Sequence, residues 1–399
     1  MSHIVDFTVD ELAGKPGPYS QKLDRHVNVF FGLNGSGKTS LLKILHSAMS
    51  GAPSILESVP FKSAEVRIYS VAYDRIFTHT CKKAEETQPT NIATRAPGDA
   101  SFQEFTTLYR YVIDSPSISW EIDPPVPDTN QSKNAGWAHR YLPISRLYVS
   151  DSPTPSRVSK DYLTSDAGLS EEQLEQSFAR LVNQLWSSYS AGVLGAVEKV
   201  QARGLADILK AVLSGPQAAQ QTEKEADFDW TAAYHRVTRF LERQGSKGIL
   251  GDQDTFGKTY RNDPLLRKVI SDVNSVELKL QETVAPRDRI QSLIEQMFTG
   301  NKKVVFKDNS IEITGLRDAK IGLSSLSSGE KQLIRILIDT LLVESSSLIL
   351  DEPEISMHVD WQRRLIGAMR QLSPDAQLIV ATHAPEIMAE IEDKNIFRL

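Results

Sequence analysis

Cysteine is almost absent from this chain, which has 399 residues and a single cysteine, Cys81. One thiol excludes an intramolecular disulfide and any metal site built on a CxxC pair, so we expect a reducing compartment. The sequence also lacks an apolar run of about 18 residues, the length that a membrane-spanning helix needs. Its first residues, MSHIVDFTVDE, show no basic stretch followed by an apolar one, so we expect no secretory signal. These absences predict a cytoplasmic protein without a membrane partner.

The charge balance argues against a protein that binds nucleic acid with its whole surface. The net charge is −6, whereas such binders are basic. A local basic surface stays open, because several lysines and arginines recur in the second half of the chain. They are Arg261, Arg267, Lys268, Arg287, Arg289, Lys302, Lys303 and Lys307. Acidic residues are interspersed among them, which favours a solvated helix face over a track for a phosphate backbone.

The most specific motif is GLNGSGKT over residues 32–39, which fits the phosphate-loop pattern G-x-x-x-x-G-K-[ST]. The apolar run Val27–Phe31 before it predicts a buried strand, and Ser40–Ser47 after it predicts a helix. In that context the glycines let backbone N–H groups converge on phosphate oxygens, while Lys38 reaches the β- and γ-phosphates and Thr39 binds Mg²⁺. We therefore predict a site for ATP and Mg²⁺. Its nucleotide contacts are Asn34, Gly35, Ser36, Gly37, Lys38, Thr39 and Ser40.

A second apolar run, Ser347–Glu352 (SLILDE), predicts a strand that ends in two carboxylates. Asp351 is placed to hold Mg²⁺, usually through water. Glu352 is then the natural candidate to orient or deprotonate the attacking water. Adjacent carboxylates at a strand end also occur in solvated turns, but the phosphate loop earlier in the chain favours the catalytic interpretation.

A serine- and glycine-containing turn, LSSGEKQ over residues 326–332, precedes an apolar helix predicted at Leu333–Val343. Such a turn can bind an anion at the helix end, or it can simply cap the helix through Ser327 or Ser328. One phosphate loop suffices for one nucleotide, so an anion-binding role would place the γ-phosphate of a second subunit here. From spacing alone, capping is the better interpretation.

Helical periodicity dominates the middle of the chain. Ser170 and Gln173 form a capping-box pattern, and apolar residues recur from Leu174 to Leu185 at helical spacing. Further helices are predicted near 192–213, 229–243, 264–283 and 287–298. We expect them to be too short and broken for a long coiled coil.

The predicted fold class is α/β, with a helical insertion between two lobes. Residues 1–160 form the N-terminal lobe, residues 161–299 the insertion and residues 300–399 the C-terminal lobe, which opens with a β-hairpin at Lys303–Phe306 and Ile311–Thr314. Other elements are predicted from short stretches of sequence. They are strands at Ile4–Val9, Tyr19–Leu23, Val66–Tyr73 and Leu142–Val149, an exposed loop at 80–100, a helix at Phe102–Ile113 and a linker at 150–160.

Two further pairs of residues are interpreted as structural rather than as catalytic or metal-binding. His79 and Cys81 are assigned to a surface loop rather than to a catalytic pair. Asp252 and Asp254 are assigned to solvated surface rather than to a metal site.

Taken in order, GLNGSGKT, LSSGEKQ, SLILDEPEISMH and VATHAPEI resemble the ATPase head of the ABC superfamily. Within it the chain is similar to the soluble branch that includes Rad50, SMC and OLD-type ATPases. The resemblance covers residues 1–75 and 300–399 well and residues 80–300 poorly. Ser328 stands where transporter subunits usually carry glycine, which favours the OLD-like branch. An ABC-type head with an insertion is the fold that the resemblance implies.

The resemblance also implies a composite site in a head-to-head dimer. Its signature, which would bind the γ-phosphate across the dimer, corresponds to Ser327, Ser328, Gly329 and Glu330. Pro353–Met357 corresponds to the D-loop at the dimer interface. His383, after the predicted strand Gln377–Ala381, corresponds to the switch histidine on the γ-phosphate.

Hydrolysis would then depend on three side chains, those of Lys38, Glu352 and His383. Thr39 and Asp351 would hold the metal. A Q-loop glutamine would be Gln88 or Gln103, and Tyr19 is a candidate for the adenine contact.

Stand-alone OLD-like ATPases, without the Toprim nuclease domain, resemble the ATPase subunits of anti-phage systems such as Septu and PARIS. This analogy predicts an ATP-dependent oligomer that senses or scaffolds a separate effector protein, often a nuclease. The alternative is a Rad50- or SMC-like ATPase of DNA repair or chromosomes, which the absence of a predicted long coiled coil disfavours. A transporter ATPase would need a glycine in the signature and a smaller insertion.

Overall fold

The computed structural model describes residues 2–83, 118–126, 137–143, 170–214, 230–298 and 302–399, without residues 244, 246, 247, 249, 316 and 318. It divides into two compact units. The first joins Met1–Ala179 to Leu323–Leu399, and the second is Arg180–Gly322.

From residue 328 to the end of the chain the helices and strands alternate, as is typical of an α/β protein. The strands are β1 (Ser2–Asp10), β2 (Pro18–Lys22), β3 (Val27–Phe31), β4 (Ser63–Ser70), β5 (Arg75–Lys82), β6 (Glu121–Asp123), β7 (His139–Leu142), β8 (Lys303–Phe306), β9 (Ile311–Thr314), β10 (Lys320–Ile321), β11 (Ser347–Asp351), β12 (Gln377–Thr382) and β13 (Ile396–Arg398). The helices are α1 (Lys38–Ser50), α2 (Glu171–Ser214), α3 (Trp230–Arg243), α4 (Gln253–Asn262), α5 (Pro264–Met297), α6 (Ser328–Val343), α7 (Val359–Leu372) and α8 (Pro385–Met388).

A parallel sheet forms the centre of the first unit, with strand order β13-β3-β12-β11-β7. β11 and β12 are buried along their whole length, as expected for parallel strands covered on both faces. In the register, Asp351 lies beside Ala381, and Ala381 beside Phe30. The carboxyl ends of these three strands therefore meet at one edge of the sheet.

An antiparallel sheet, β2-β1-β4-β5-β6, completes the first unit. One face of α1 lies in the core that joins the two sheets, with Leu41, Leu42 and Leu45 fully buried. The segment 75–82 follows β4 as a strand, so the prediction of an exposed loop from residue 80 onwards is wrong for residues 80–82. His79 and Cys81 are each 1% exposed, which also corrects their assignment to the surface.

Two helices, α2 and α5, are longer than the sequence predicted. α2 is one helix of 44 residues and α5 one of 34 residues, about 66 Å and 51 Å long at 1.5 Å per residue. Pro286 lies inside α5, so its missing N–H does not end the helix as the periodicity suggested. α2 and α5 approach closely, because a side-chain carbon at Gly204 would lie 2.2 Å from Val276.

The β-hairpin predicted at Lys303–Phe306 and Ile311–Thr314 is confirmed, and β8 pairs antiparallel with β9. Its position differs from the prediction, because it belongs to the second unit rather than to the lobe that starts at residue 300. The reason is a contact with α2. Trp186 is fully buried against Phe306 and donates a hydrogen bond from Nε1 to the carbonyl of Lys307.

Several predicted elements fall partly or wholly outside the described residues. The helix at Phe102–Ile113, the linker at 150–160, and Gln88 and Gln103 lie there entirely. The strand predicted at Leu142–Val149 is described as His139–Leu142, and residues 144–149 also lie outside. No helix among the described residues is long and apolar enough to cross a membrane.

Candidate functional site

The segment 32–39 joins β3 to α1 as a tight loop, as the motif predicts. The Lys38 ammonium donates hydrogen bonds to the carbonyls of Gly32 at 2.7 Å and Leu33 at 3.1 Å. Lys38 is 5% exposed, so these loop carbonyls satisfy a cation that would otherwise be buried without a partner. The Lys38 side chain is therefore held by the backbone of the loop that precedes it.

The backbone of the loop requires glycine at position 37. Gly37 has φ 103°, in the left-handed region, and a side-chain carbon there would lie 2.9 Å from the Ala13 side chain. Gly37 caps α1 without any side-chain hydrogen bond to the first turn. The amide groups at this helix end, with the helix dipole, are thus available to an anion.

Three strand ends bring the other predicted groups to the same edge. β12 lies between β3 and β11, so the loop at 32–39, the residue after β12 and the residue after β11 are neighbours. Asp351 is fully buried as the last residue of β11. Glu352 follows it, with its N–H bonded to the carbonyl of Ala381 at 2.8 Å.

Glu352 and His383 form a close pair at this edge. His383 Nδ1 lies 3.4 Å from Glu352 Oε1, and the two side chains are 48% and 15% exposed. Glu352 has φ 46°, a conformation that a non-glycine residue adopts at a cost of about 1–3 kcal/mol. Such strain concentrates at functional sites, so the backbone holds this carboxylate in a specific direction.

A third carboxylate, that of Glu354, lies behind this pair; in the sequence it stood out only as part of Pro353–Met357, the range that corresponds to the D-loop. Glu354 is 3% exposed, and its Oε1 accepts hydrogen bonds from the Thr382 hydroxyl and from the His383 N–H at 3.2 Å. The same oxygen lies 3.6 Å from His383 Nδ1. The letters DEPE placed Glu354 near Glu352 in sequence, but only the fold turns it beneath β12.

The predicted signature turn opens α6, and its serines differ in their contacts. Ser327 caps the helix, because its hydroxyl accepts from the Glu330 N–H at 3.3 Å. Glu330 in turn accepts from the Ser327 N–H at 2.8 Å. The capping interpretation is thus confirmed for Ser327. Ser328 is the exposed first residue of α6, and Gly329 is buried.

The residues present fit a nucleotide with Mg²⁺. The Ser36 hydroxyl is buried and has no hydrogen-bond partner within the part of the chain that the structure describes. Together with the uncapped end of α1, this orphaned group suits a phosphate oxygen. Across the described ranges, no cluster of three His, Cys, Asp or Glu side chains could hold a metal by itself. Mg²⁺ commonly takes one or two carboxylates plus substrate phosphates, so the two predicted ligands, Asp351 and Thr39, would suffice as the protein's share.

Other candidates have structural contacts of their own. Asp252 caps α4 by accepting from the Thr255 N–H at 3.0 Å, which supports its assignment away from metal binding. Tyr19 packs against Phe7 at 5.9 Å between ring centroids, and its contact with adenine stays a prediction. Among the basic residues, Arg287 pairs with Asp308 at 2.6 Å.

The architecture is that of the α/β class built on a phosphate loop, with a central parallel sheet. The family described as "AAA domain, putative AbiEii toxin, Type IV TA system" matches residues 239–389. That range is less than half of the chain. It includes the turn at 326–332, the end of β11 and His383, but not the loop at 32–39.

Two proteins named as probable ATPases of retrons are similar to short stretches of this chain. The retron Ec83 probable ATPase of Escherichia coli is 27% identical in an alignment of 100 residues that covers 22% of this chain. The retron Vc95 probable ATPase of Vibrio cholerae serotype O1 biovar El Tor is 26% identical in an alignment of 91 residues that covers 20% of this chain. Each match spans only 18% of the relative's length.

SMC head domains are similar in structure over nearly the whole chain. The head from Pyrococcus furiosus, solved with an extended coiled coil and the C-terminal domain of ScpA, has a TM-score of 0.43 at 12% identity. It covers 98% of this chain and 92% of that one. The head from Thermotoga maritima has a TM-score of 0.40 at 11% identity, with 97% and 91% covered.

Proposed function

We propose that this chain is an ATPase that binds ATP and Mg²⁺ at residues 32–40 and hydrolyses the γ-phosphate. The observation that supports this proposal is the convergence of three strand ends, which places the loop, Asp351 and the Glu352–His383 pair at one edge of the sheet. Ligands of open parallel sheets bind at the carboxyl ends of the strands.

Each group has a distinct part in the proposed reaction. Lys38 exchanges its loop carbonyls for phosphate oxygens when the nucleotide enters. Glu352 orients the attacking water for in-line displacement, and His383 steadies the γ-phosphate. Mg²⁺, held by Thr39 and Asp351, would neutralise charge on the phosphates when bound.

The site is proposed to be completed by a second copy of the chain. Ser328 and the first amides of α6 form an exposed helix end, which suits the γ-phosphate held by a partner's loop. Ser327, Gly329 and Glu330 shape this end, and Pro353–Met357 would line the same interface. Because one γ-phosphate would contact two subunits, its hydrolysis would loosen the dimer.

The output is proposed to be control of a separate effector protein in prokaryotic anti-phage defence. Similarity to two retron probable ATPases supports the defence context. The ATP-bound oligomer would hold the effector, often a nuclease, and hydrolysis would change that hold.

A second candidate is a DNA-repair or chromosome-associated ATPase of the Rad50 or SMC kind. The absence of a predicted long coiled coil disfavours it. The continuous α2 and α5, of 44 and 34 residues, are longer than the predicted helices, and this length favours the candidate.

The experiment that tests the proposal measures native mass and co-purifying protein for the tagged chain with ATP and Mg²⁺. Wild type is compared with Glu352→Gln, Lys38→Ala and the exposed control Glu390→Gln. Glu352→Gln should retain ATP, lose hydrolysis by at least about a hundredfold and accumulate the oligomer. Lys38→Ala should stay in the ATP-free state.

The outcomes separate the candidates. An ATP-stabilised oligomer that carries a protein encoded by a neighbouring gene supports control of an effector. An oligomer that forms alone and retains DNA supports the repair candidate. A wild-type chain whose mass and ATP turnover match those of Lys38→Ala would overturn the proposed ATPase.

A further inference from the structure

Glu354 is a buried carboxylate whose hydrogen bonding is only half used. Oε1 accepts from the Thr382 hydroxyl and the His383 N–H. Oε2 is also buried and has no hydrogen-bond partner among the residues that the structure describes. A carboxylate is costly to bury with an oxygen unpaired, so packing alone does not explain this residue.

The segment that carries Glu354 is also attached to the beginning of α6. Gln332 Nε2 donates a buried hydrogen bond to the carbonyl of Pro353 at 2.7 Å. One turn earlier, a side-chain carbon at Gly329 would lie 2.2 Å from the carbonyl oxygen of Ser356. Ser356 has φ 65°, so the chain is bent to allow this contact. The segment 353–357 is therefore attached to the beginning of α6 at two points.

On its other side, the same segment holds His383 at two points. Glu354 Oε1 receives the backbone N–H of His383 at 3.2 Å and lies 3.6 Å from the ring nitrogen Nδ1. Glu352 Oε1 lies 3.4 Å from that nitrogen. Two carboxylate oxygens beside Nδ1 favour a proton on it, which fixes the ring and leaves Nε2 for a ligand.

We propose that Glu354 is a positioning residue that couples the beginning of α6 to His383, so that occupancy at Ser328 sets the orientation of the histidine beside Glu352. This inference deepens the proposed function and rests on it. In this proposal the turn at 326–332 would contact the nucleotide bound to a partner subunit, and Glu354 would connect that turn to the Glu352–His383 pair, which would act on the nucleotide bound to the same subunit. Hydrolysis at the two sites of a dimer would then be cooperative.

The test combines ATP turnover with a direct measurement on the histidine ring. Glu354→Gln keeps the shape of the side chain but removes its charge, and Glu390→Gln is the exposed control. We expect kcat to fall roughly ten- to a hundredfold, the range known for losing a carboxylate that orients a metal-bound histidine. KM and ATP affinity should change less than twofold. Glu354→Asp should recover part of the loss.

The ring itself is observed by NMR of protein labelled at histidine, with His383→Gln to assign the signal. Wild type should show the tautomer protonated at Nδ1, and Glu354→Gln a mixture of tautomers. Because this readout needs no hydrolysis, it still tests Glu354 if the wild type proves to have no ATPase activity. An unchanged tautomer with unchanged kcat would overturn the proposal.

The connection to α6 is tested separately through Gln332→Leu, which leaves every group on His383 in place. We expect Gln332→Leu to abolish the cooperative dependence of ATP turnover on ATP concentration. Adding Glu354→Gln should cause no further loss of this cooperativity. If the two substitutions act additively, the coupling is wrong and Glu354 acts on His383 alone. If Glu354→Gln does not fold, Thr382→Val takes its place, because it removes one of the two hydrogen bonds that Glu354 accepts.

Discussion

Gln377 forms two hydrogen bonds with the backbone of Ile4, 373 residues away. Oε1 accepts from the Ile4 N–H at 2.9 Å, and Nε2 donates to the Ile4 carbonyl at 2.7 Å. The remaining capacity of the amide is also used, by the Ser347 hydroxyl at 2.8 Å and the Asp24 carbonyl at 3.0 Å. A single buried side chain thus joins the antiparallel sheet to the parallel one.

Replacing Gln377 with alanine should destabilise the first unit by at least about 2 kcal/mol, because it leaves buried N–H and C=O groups without partners. Urea denaturation of the full chain measures the change. Gln201→Ala, at an exposed position of α2, is the control and should stay within about 0.5 kcal/mol of wild type. Equal losses of stability for Gln377→Ala and Gln201→Ala would show that the hydrogen bonds of Gln377 do not stabilise the protein.

Gly37→Ala should reduce nucleotide affinity and stability together. The new side-chain carbon would combine a left-handed backbone with a contact of 2.9 Å to Ala13. Gly14→Ala is a matched control, since Gly14 has φ 75° but no atom within 4 Å of the added carbon. Backbone strain alone costs about 1–2 kcal/mol. Denaturation and titration with a fluorescent ATP analogue should show a larger loss of stability and of affinity for Gly37→Ala than for Gly14→Ala. Similar losses for the two variants would show that the contact with Ala13 has no effect.

Asp339→Asn should be among the most destabilising single changes in the first unit. Asp339 is fully buried between Arg140, at 2.7 Å, and Arg335, with which it also forms an ion pair. Removing the shared anion leaves two cations facing an amide, and breaking a buried ion pair costs about 3–5 kcal/mol. Asp393→Asn, on the surface, is the control. Thermal and urea melts measure both, and a loss below about 1 kcal/mol for Asp339→Asn would refute the prediction.

Ser327→Ala and Ser328→Ala should separate helix capping from ligand binding. Ser327 provides the cap of α6, so its loss should cost about 1 kcal/mol of stability. Ser328 makes no such cap, so its loss should leave the melt unchanged and weaken the ATP-dependent oligomer. Melting curves and native mass with ATP and Mg²⁺ check both expectations. An unchanged oligomer in Ser328→Ala would argue against a signature role for this turn.

Acid should destabilise the protein through a buried pair of histidines. His139 Nδ1 donates to the Trp137 carbonyl at 2.7 Å. His139 Nε2 lies 2.7 Å from His46 Nδ1, and when both rings are neutral it accepts the hydrogen bond from that nitrogen. Burial lowers the pKa of His46 to about 3 and that of His139 to about 4. The unfolded chain therefore takes up protons first as pH falls below the ordinary value of 6.5.

Stability should be complete above about pH 6.5 and decline towards pH 4, at about 1.4 kcal/mol per pH unit for each proton. Urea denaturation at pH 7, 6 and 5 measures this slope. His46→Gln should show a shallower slope than wild type over the same range. A slope equal to that of wild type would mean that other groups control the acid response.

How much the sequence predicts depends on the range of the interactions involved. Local signals were sufficient for β3, for the capping box at Ser170 and Gln173, and for the hairpin β8–β9. Each depends on neighbours within a few residues. The sequence did not predict β5, because its alternation of apolar and polar residues is short and polar. It predicted a break in α5 at Pro286, but the helix continues there because tertiary packing outweighs the local effect of proline.

By itself, the sequence determined the α/β class, the phosphate loop and the identity of the groups that follow β11 and β12. Their types and spacing carry that information, because the loop and the strand ends are local. Only the tertiary structure decided which of them meet. The parallel register sets Glu352 beside His383, and the turn after β11 brings Glu354 beneath both. Contacts between residues about 30 positions apart leave no periodicity in the sequence, so the fold alone creates them.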